Sequence, residues 1–299
     1  MPHYPPPLPA LVKANPHVIA AWYDDPKHPH HLTIIVDHQH LDAPLNVWQQ
    51  PATIPTNVYH QKPLRILRTH TAALPPTNTH QLCQDEPVRL GTQIQPAAAD
   101  WLGTAGAPAK WLDKSRRPHW GILSNWHVMA DGDQRIGRTQ HQPTTSQGPI
   151  AALANWHQVT PDRDHKLDAA IADALLDAYH TISNEILGLG PLGDHPIDAH
   201  VGLAVSKSGR TTMVTHGTCL AIGATVRVSY GDFTATLVDQ DVYAPANGPF
   251  SAPGDSGSLI LTRDSRCPCS LLFAGNDLLT IANPIRHVAA ELKLVFPFP

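Results

Sequence analysis

The sequence predicts a mainly β protein, and three observations carry that reading. Thirty prolines and nineteen glycines are spread along the 299 residues, which breaks the chain into short segments and leaves little room for long helices. Between the breaks lie short apolar runs, several alternating with period two, such as VRLGTQIQ, WGILSNWHV, FTATLVDQDVYA and SLLFAG. Turn residues separate them, as in a sandwich or barrel. The length suits about two domains, either able to bury a core of its own.

In chain order, residues 1–70 offer a short helical piece, LPALVKAN, and then the apolar segments HVIAAWYDD, HLTIIVDHQ and NVYHQKPLRILRT, which together predict a small N-terminal α+β domain. Residues 71–87, TAALPPTNTHQLCQDEP, follow neither period and read as a linker. The runs from 88 onward supply the strands, with TTMVTHGTCLAIG and TVRVSYG as separate segments and KSGRTTMVTHG as a β-turn region. One helix closes the chain over about 284–293: Asn283 suits the cap, Pro284 the first helical position, and Ile285, Val288, Ala289 and Leu292 share a face. No repeat recurs at a fixed period.

Charge and cysteine content narrow the function classes. Lys and Arg number 21 against 25 Asp and Glu, a net −4, and the longest basic run is SRRP, so nucleic acid is not an expected partner. Twenty histidines make the charge pH-dependent only below about pH 6.5. Cys83, Cys219, Cys267 and Cys269 make too thin a set for a disulfide framework, which fits a reducing compartment. The N-terminus has no charged region followed by an apolar stretch, and no run reaches about 18 apolar residues. The expectation is a cytoplasmic protein with no membrane partner.

The stretch SAPGDSGSLI, residues 251–260, raises the question of chemistry. A serine nucleophile needs a base, a carboxylate to orient it, and N–H groups aimed at the developing oxyanion. His127 ends the apolar run GILSNWHVMA, Asp168 precedes a small apolar segment in HKLDAAIADAL, and Ser256 follows Gly254. The N–H groups of Gly254 and Ser256 would form the oxyanion hole. The order His, Asp, Ser, with gaps of 41 and 88 residues, suits His and Asp on one small barrel and Ser on a second. Asp162, Asp164 and Asp173 are rivals for the carboxylate; LDAAIA, with its small apolar residues, favours Asp168.

SNWHVMA, LDAAIA and PGDSGSLI, in that order, resemble the chymotrypsin-like (trypsin-like) serine peptidases. SKSGRTT, FSAPGDSGSLI, LLFAG and ANPI look more like a bacterial group related to the plant narrow-leaf proteins. The resemblance covers about residues 16–294 and implies a double β-barrel, with barrels at about 88–185 and 198–281, behind the N-terminal domain. It also implies catalytic roles for His127, Asp168 and Ser256. Phe250, six before the serine, speaks against cleavage after Arg or Lys; with Phe273 and Gly275 it implies an apolar or small primary pocket. Three residues depart from the family pattern. Phe273 stands where a small or hydroxyl residue often supports the Asp, Met213 where the nearer relatives have Gly, and Trp126 where they have Asn. No IVGG-like activation sequence occurs, so Asp255 is not expected to pair with a newly cut N-terminus.

Other chemistries fit less well. An α/β-hydrolase needs G-x-S-x-G, yet position 258 is Ser, and only Asp277 and His287 would remain to follow Ser256. His28, His30, His31, His38 and His40 form a dense patch without standard metal spacing, and read as loop histidines. CPC at 267–269 lacks C-x-x-C spacing, and Lys207 and Arg210 lack a Walker pattern. The expectation is a regulatory serine endopeptidase with restricted substrates, no cofactor and no metal, acting on a protein or peptide, or on one specific partner protein. A homo-oligomer is left open, and the alternative is a weak or inactive peptidase-fold scaffold for protein binding.

Overall fold

The computed structural model describes residues 8–25, 31–40, 55–70, 76–83, 87–175 and 182–296. His28 and His30 lie outside these, as do parts of the 71–87 segment. Two large sheets hold most of the strands. The first has eight, in the order Thr69–His70, Trp101–Ala105, Thr92–Pro96, Thr139–His141, Pro149–His157, Ala169–Ala174, Pro118–Ser124, Ala107–Leu112. In Pro118–Ser124 the first three residues stay outside the core and the last four, ILS with Gly121, are buried, so the strand drives inward and delivers Trp126–Met129 to the interior.

The second sheet contains a closed ring of six strands: Ala204–Gly209, Met213–Ser229, Thr234–Pro245, Thr280–Pro284, Pro268–Gly275 and Leu259–Thr262. Closure removes the free edges that an open sheet would expose. Pro268–Gly275 and Leu259–Thr262 are buried along their whole length, as their unbroken apolar character requires. Met213–Ser229 is one 17-residue strand where the sequence suggests two segments. Gly223, at φ +68°, does not turn the chain; register shifts around it make an irregularity that bends a continuous strand. Met213 opens this strand at φ +55°, in the left-handed region that glycine enters without strain.

The N-terminal elements join the second sheet. Helix Leu8–Ala14 packs near Val18–Tyr23, which pairs antiparallel with both Met213–Ser229 and Leu32–Asp37, and Thr56–Gln61 adds in parallel at the outer edge. Val12, Val18, Ala21, Leu32, Ile34 and Val36 make a small core there, while Ile19, Ala20 and Trp22 enter the main one. A third, three-stranded sheet joins Val88–Leu90, Ile182–Ile186 and Gly190–Pro191.

The closing helix runs Ile285–Leu292, with Ile285, Val288 and Leu292 buried and Ala289 half-buried. Asn283 does not cap it: Pro284 holds the cap position without a side-chain bond. The Asn283 amide is committed elsewhere, accepting from Asp168 N–H at 3.1 Å and donating to Asp168 O at 3.0 Å and Leu271 O at 3.2 Å. Among the described residues no helix is long and apolar enough to cross a membrane.

Candidate active site

His127 and Asp168 come together at the seam of the two large sheets and are fully buried, as is Ser256, all at 0 % exposed; Ser256 makes its hydrogen bonds to other groups and none to His127. His127 sits in the helical turn Trp126–Met129 at the end of a first-sheet strand. Its Nδ1 lies 2.6 Å from Asp168 Oδ2, and its own N–H donates to Asp168 Oδ1 at 3.2 Å. Asp168 is pinned through its backbone as well, since Asn125 Nδ2 donates to its carbonyl at 2.7 Å, beside the Asn283 bonds. The rival aspartates are engaged elsewhere. Asp164 pairs with Lys13 at 2.8 Å, Asp173 accepts from Trp111 Nε1 at 2.8 Å, and Asp162 bonds Thr160.

Sequence reasoning missed the second donor to the carboxylate. Tyr230 Oη donates to Asp168 Oδ2 at 2.9 Å, from just past the end of Met213–Ser229. Phe273, whose side chain cannot support Asp168 by a hydrogen bond, is thereby replaced in that task by a residue 62 positions from the aspartate. Burial pushes the Asp168 carboxyl up, but the His127 charge and the bonds from His127 and Tyr230 more than offset it, so it stays below its ordinary value. Burial and the Asp168 charge in turn push the Tyr230 phenol well up. Tyr230 therefore remains a donor at neutral pH.

Gly254, at φ +106°, turns the loop before Ser256; a Cβ there would meet Thr211 Oγ1 at 2.3 Å. Asp255 supports that loop from below, accepting from Thr211 N–H at 2.8 Å, Thr212 Oγ1 at 2.7 Å and Ala252 N–H at 3.0 Å. Its charge is met by Lys207, whose Nζ is 3.3 Å from Oδ2 and also bonds Thr212 Oγ1 and Met213 O. Both are fully buried. A lysine from the strand Ala204–Gly209 thus supplies the cation for Asp255. Burial lowers the Lys207 pKa from its ordinary value, opposed by the Asp255 charge. The SKSG segment contained this residue, but spacing gave no sign of its partner.

The N–H groups of Gly254 and Ser256 converge on one oxygen, the carbonyl of Leu67: Gly254 donates to it closely and Ser256 at 3.2 Å. Leu67 N–H lies 3.1 Å from Phe273 O and 2.9 Å from Ser256 Oγ. The Ser256 hydroxyl donates to Phe273 O at 2.9 Å, while His127 Nε2 is buried without a hydrogen-bond partner among the described residues. Phe273 contributes its carbonyl to the cleft; its side chain belongs to the main core with Trp126 and Tyr230. Phe250 and Leu67 share an apolar cluster, and a Cβ on Gly275 would stand 3.3 Å from Leu67 Cδ1. Among the described residues no group of three or more His, Cys, Asp or Glu could hold a metal ion.

The site thus holds an imidazole tied to a carboxylate, a buried serine hydroxyl, and two N–H donors on one carbonyl oxygen. No protein-family model matches the chain, and no curated protein matches it. Solved structures do. Thermobifida fusca Protease A matches with a TM-score of 0.52 at 18% identity, over 71% of this chain and 100% of that one. Cellulomonas bogoriensis chymotrypsin matches at 0.50 and 19%, over 71% and 100%, and Nocardiopsis protease at 0.50 and 18%, over 70% and 98%. The fold is therefore chymotrypsin-like, mainly β with a short C-terminal helix.

Proposed function

We propose that this chain is a serine endopeptidase in which Ser256 is the nucleophile, His127 the general base and Asp168 the carboxylate that orients it. The observation that carries the reading is the seating of a peptide carbonyl, that of Leu67, against the N–H groups of Gly254 and Ser256, beside the Ser256 hydroxyl. Two N–H donors on one carbonyl oxygen are what a tetrahedral oxyanion needs, and each such donor contributes about 10²–10³ in rate. His127, with Nδ1 tied to Asp168, presents Nε2 as the free basic nitrogen. Rotation of the Ser256 side chain from Phe273 O toward that nitrogen completes the relay. Substrate-free or resting sites are commonly looser than the reacting complex.

The primary pocket takes an apolar or small side chain, with Phe250 and Gly275 among its walls. Occupation of the cleft by the chain's own residues fits a regulatory enzyme of restricted substrates. One observation favours the scaffold reading instead: the Ser256 hydroxyl is bonded to Phe273 O and not to His127.

A fluorophosphonate probe separates the two. The expected result is an adduct on Ser256, mapped by mass spectrometry, that is absent from H127A. Because Leu67 covers the serine, the probe is applied both to the natural sequence and to Leu67→Asp, in which a carboxylate is disfavoured in the apolar pocket and opens the cleft. Folded protein with no adduct in either would leave the scaffold reading standing.

A further inference from the structure

Residues 64–70 cross the whole cleft in an extended conformation. On one side of Leu67, Leu64–Ile66 pairs antiparallel with Pro268–Gly275, placing Ile66 opposite Ala274 and Arg65 opposite Gly275. On the other side, Thr69–His70 pairs antiparallel with the first-sheet strand Trp101–Ala105. Between these anchors, the Leu67 carbonyl takes the two N–H donors of Gly254 and Ser256, and the Leu67 N–H points at Phe273 O. Leu64, Ile66 and Leu67 are buried and Arg65 is exposed, so the alternation of Leu64–Ile66 ends at Leu67, which is buried as well. Leu67 fills an apolar recess with Val205, Cys219, Tyr243, Phe250, Ile260 and Leu272. Arg68 is held on the far side of the reacting bond: its Nη1 bonds Asp131 Oδ2 at 2.6 Å and His127 O at 3.1 Å, and its guanidinium lies 4.3 Å from the Trp101 ring centre.

We infer that the Leu67–Arg68 peptide bond is a substrate of this site, cut by Ser256 of the same chain. The inference rests on the peptidase reading above and supplies its first substrate. Ser256 Oγ bonds to the Leu67 carbonyl carbon as its proton passes to His127 Nε2. The bond from that carbon to the Arg68 nitrogen then breaks, and the proton goes to the departing amine. This leaves Leu67 as an ester on Ser256. Water, giving a proton to His127, attacks the ester, restores the serine hydroxyl and leaves a carboxylate on Leu67. Nothing but water is consumed. The seating of Leu67 also assigns leucine as the residue preceding the cut, since the recess is apolar and Gly275 leaves room for a branched side chain.

Cleavage would not release the N-terminal piece under native conditions, because Val18–Tyr23 stays paired with Met213–Ser229. The test is therefore intact mass under denaturing conditions, with time, on purified protein. The expected products are one fragment ending at Leu67 and one beginning at Arg68, formed at a rate independent of protein concentration. Ser256→Ala should stay whole, Leu67→Met should be cut at the same bond, and Leu67→Asp should slow cutting by at least about 100-fold. A synthetic peptide KPLRILRTHTA should be cut by Leu67→Asp between its second leucine and the following arginine. If Ser256 takes the fluorophosphonate but the natural chain and the peptide stay whole, self-cleavage is overturned and the peptidase reading survives. If Ser256 is never labelled, both fall.

Discussion

Tyr230 Oη and His127 Nδ1 meet on a single oxygen of Asp168, at 2.9 and 2.6 Å. The carboxylate is thus fixed by two donors from opposite sheets, and its angle sets the angle of the imidazole. Tyr230→Phe removes one donor and leaves the ring packing against Phe233 and Trp126 in place. A hydrogen bond to a charged group is worth about 1.5–3 kcal/mol. The expected result is a fall of about 10-fold or more in the rate of fluorophosphonate labelling of Leu67→Asp/Tyr230→Phe against Leu67→Asp alone. An unchanged rate would show that His127 alone suffices to hold Asp168.

Lys207 and Asp255 form a fully buried ion pair under the Gly254 turn. Removing one member strands the other's charge, which typically costs about 3–5 kcal/mol. Lys207→Met should lower the urea midpoint accordingly and abolish Ser256 labelling, because Asp255 would no longer hold the N–H groups of Ala252 and Thr211 in position. Lys207→Met/Asp255→Asn, with no charge left to strand, should recover most of the stability. Equal midpoints for the single and double variants would count against the pair as the source.

Asp241 is buried in the ring of six strands, accepting from Ser270 Oγ at 2.6 Å, and burial pushes its carboxyl up to about 7. In the unfolded chain it titrates near 3.9, about the usual value for aspartate. Between about pH 4 and 7 the folded protein therefore keeps a proton that the unfolded chain has lost, so stability falls as pH rises through that window. The loss amounts to at most about 4 kcal/mol. Asp241→Asn, already neutral, should show a flatter dependence of Tm on pH from 4 to 8 and a higher Tm at pH 8. A Tm profile parallel to that of the natural sequence would exclude Asp241 as the cause.

Gly275 borders the leucine recess, and a Cβ there would meet Leu279 O at 2.6 Å as well as Leu67 Cδ1 at 3.3 Å. Gly275→Val adds an isopropyl group, a Cβ with two methyls, on that wall. The expected outcome is exclusion of Leu67 from the recess, read as loss of cutting at Leu67–Arg68 with Ser256 still labelled. Retained cutting would mean that the recess does not select the residue before the bond.

Much of this site was legible in the sequence because its parts carry local signatures. Gly254 and the turn residues around Ser256 announce a sharp turn before a buried strand, and GILSNWHV announces a strand leading to a histidine, although the strand ends at Ser124 and His127 sits in the helical turn that follows. Asp168 stood out from three neighbouring aspartates by the small residues that follow it, and these become the strand Ala169–Ala174. Tyr230 and Asn283 carried no such signature. Asn283 before Pro284 has the local look of a helix cap, and only the approach of Asp168, 115 residues away, recruits its amide. Likewise the break at Gly223 looks like a strand boundary until the partner strands are seen to continue past it.

A β-rich chain of short strands, a closing helix and the proposed His127, Asp168 and Ser256 set are readable from sequence, because alternation, turn chemistry and motif order are properties of neighbouring residues. That LRILR lies across the seam, with Leu67 against Ser256 from 189 residues away, follows from long-range packing alone. An apolar alternating stretch satisfies its backbone equally well in any groove with open N–H and C=O groups. Which groove it enters depends on where the ring of six strands closes and on the space that Gly275 leaves beside it.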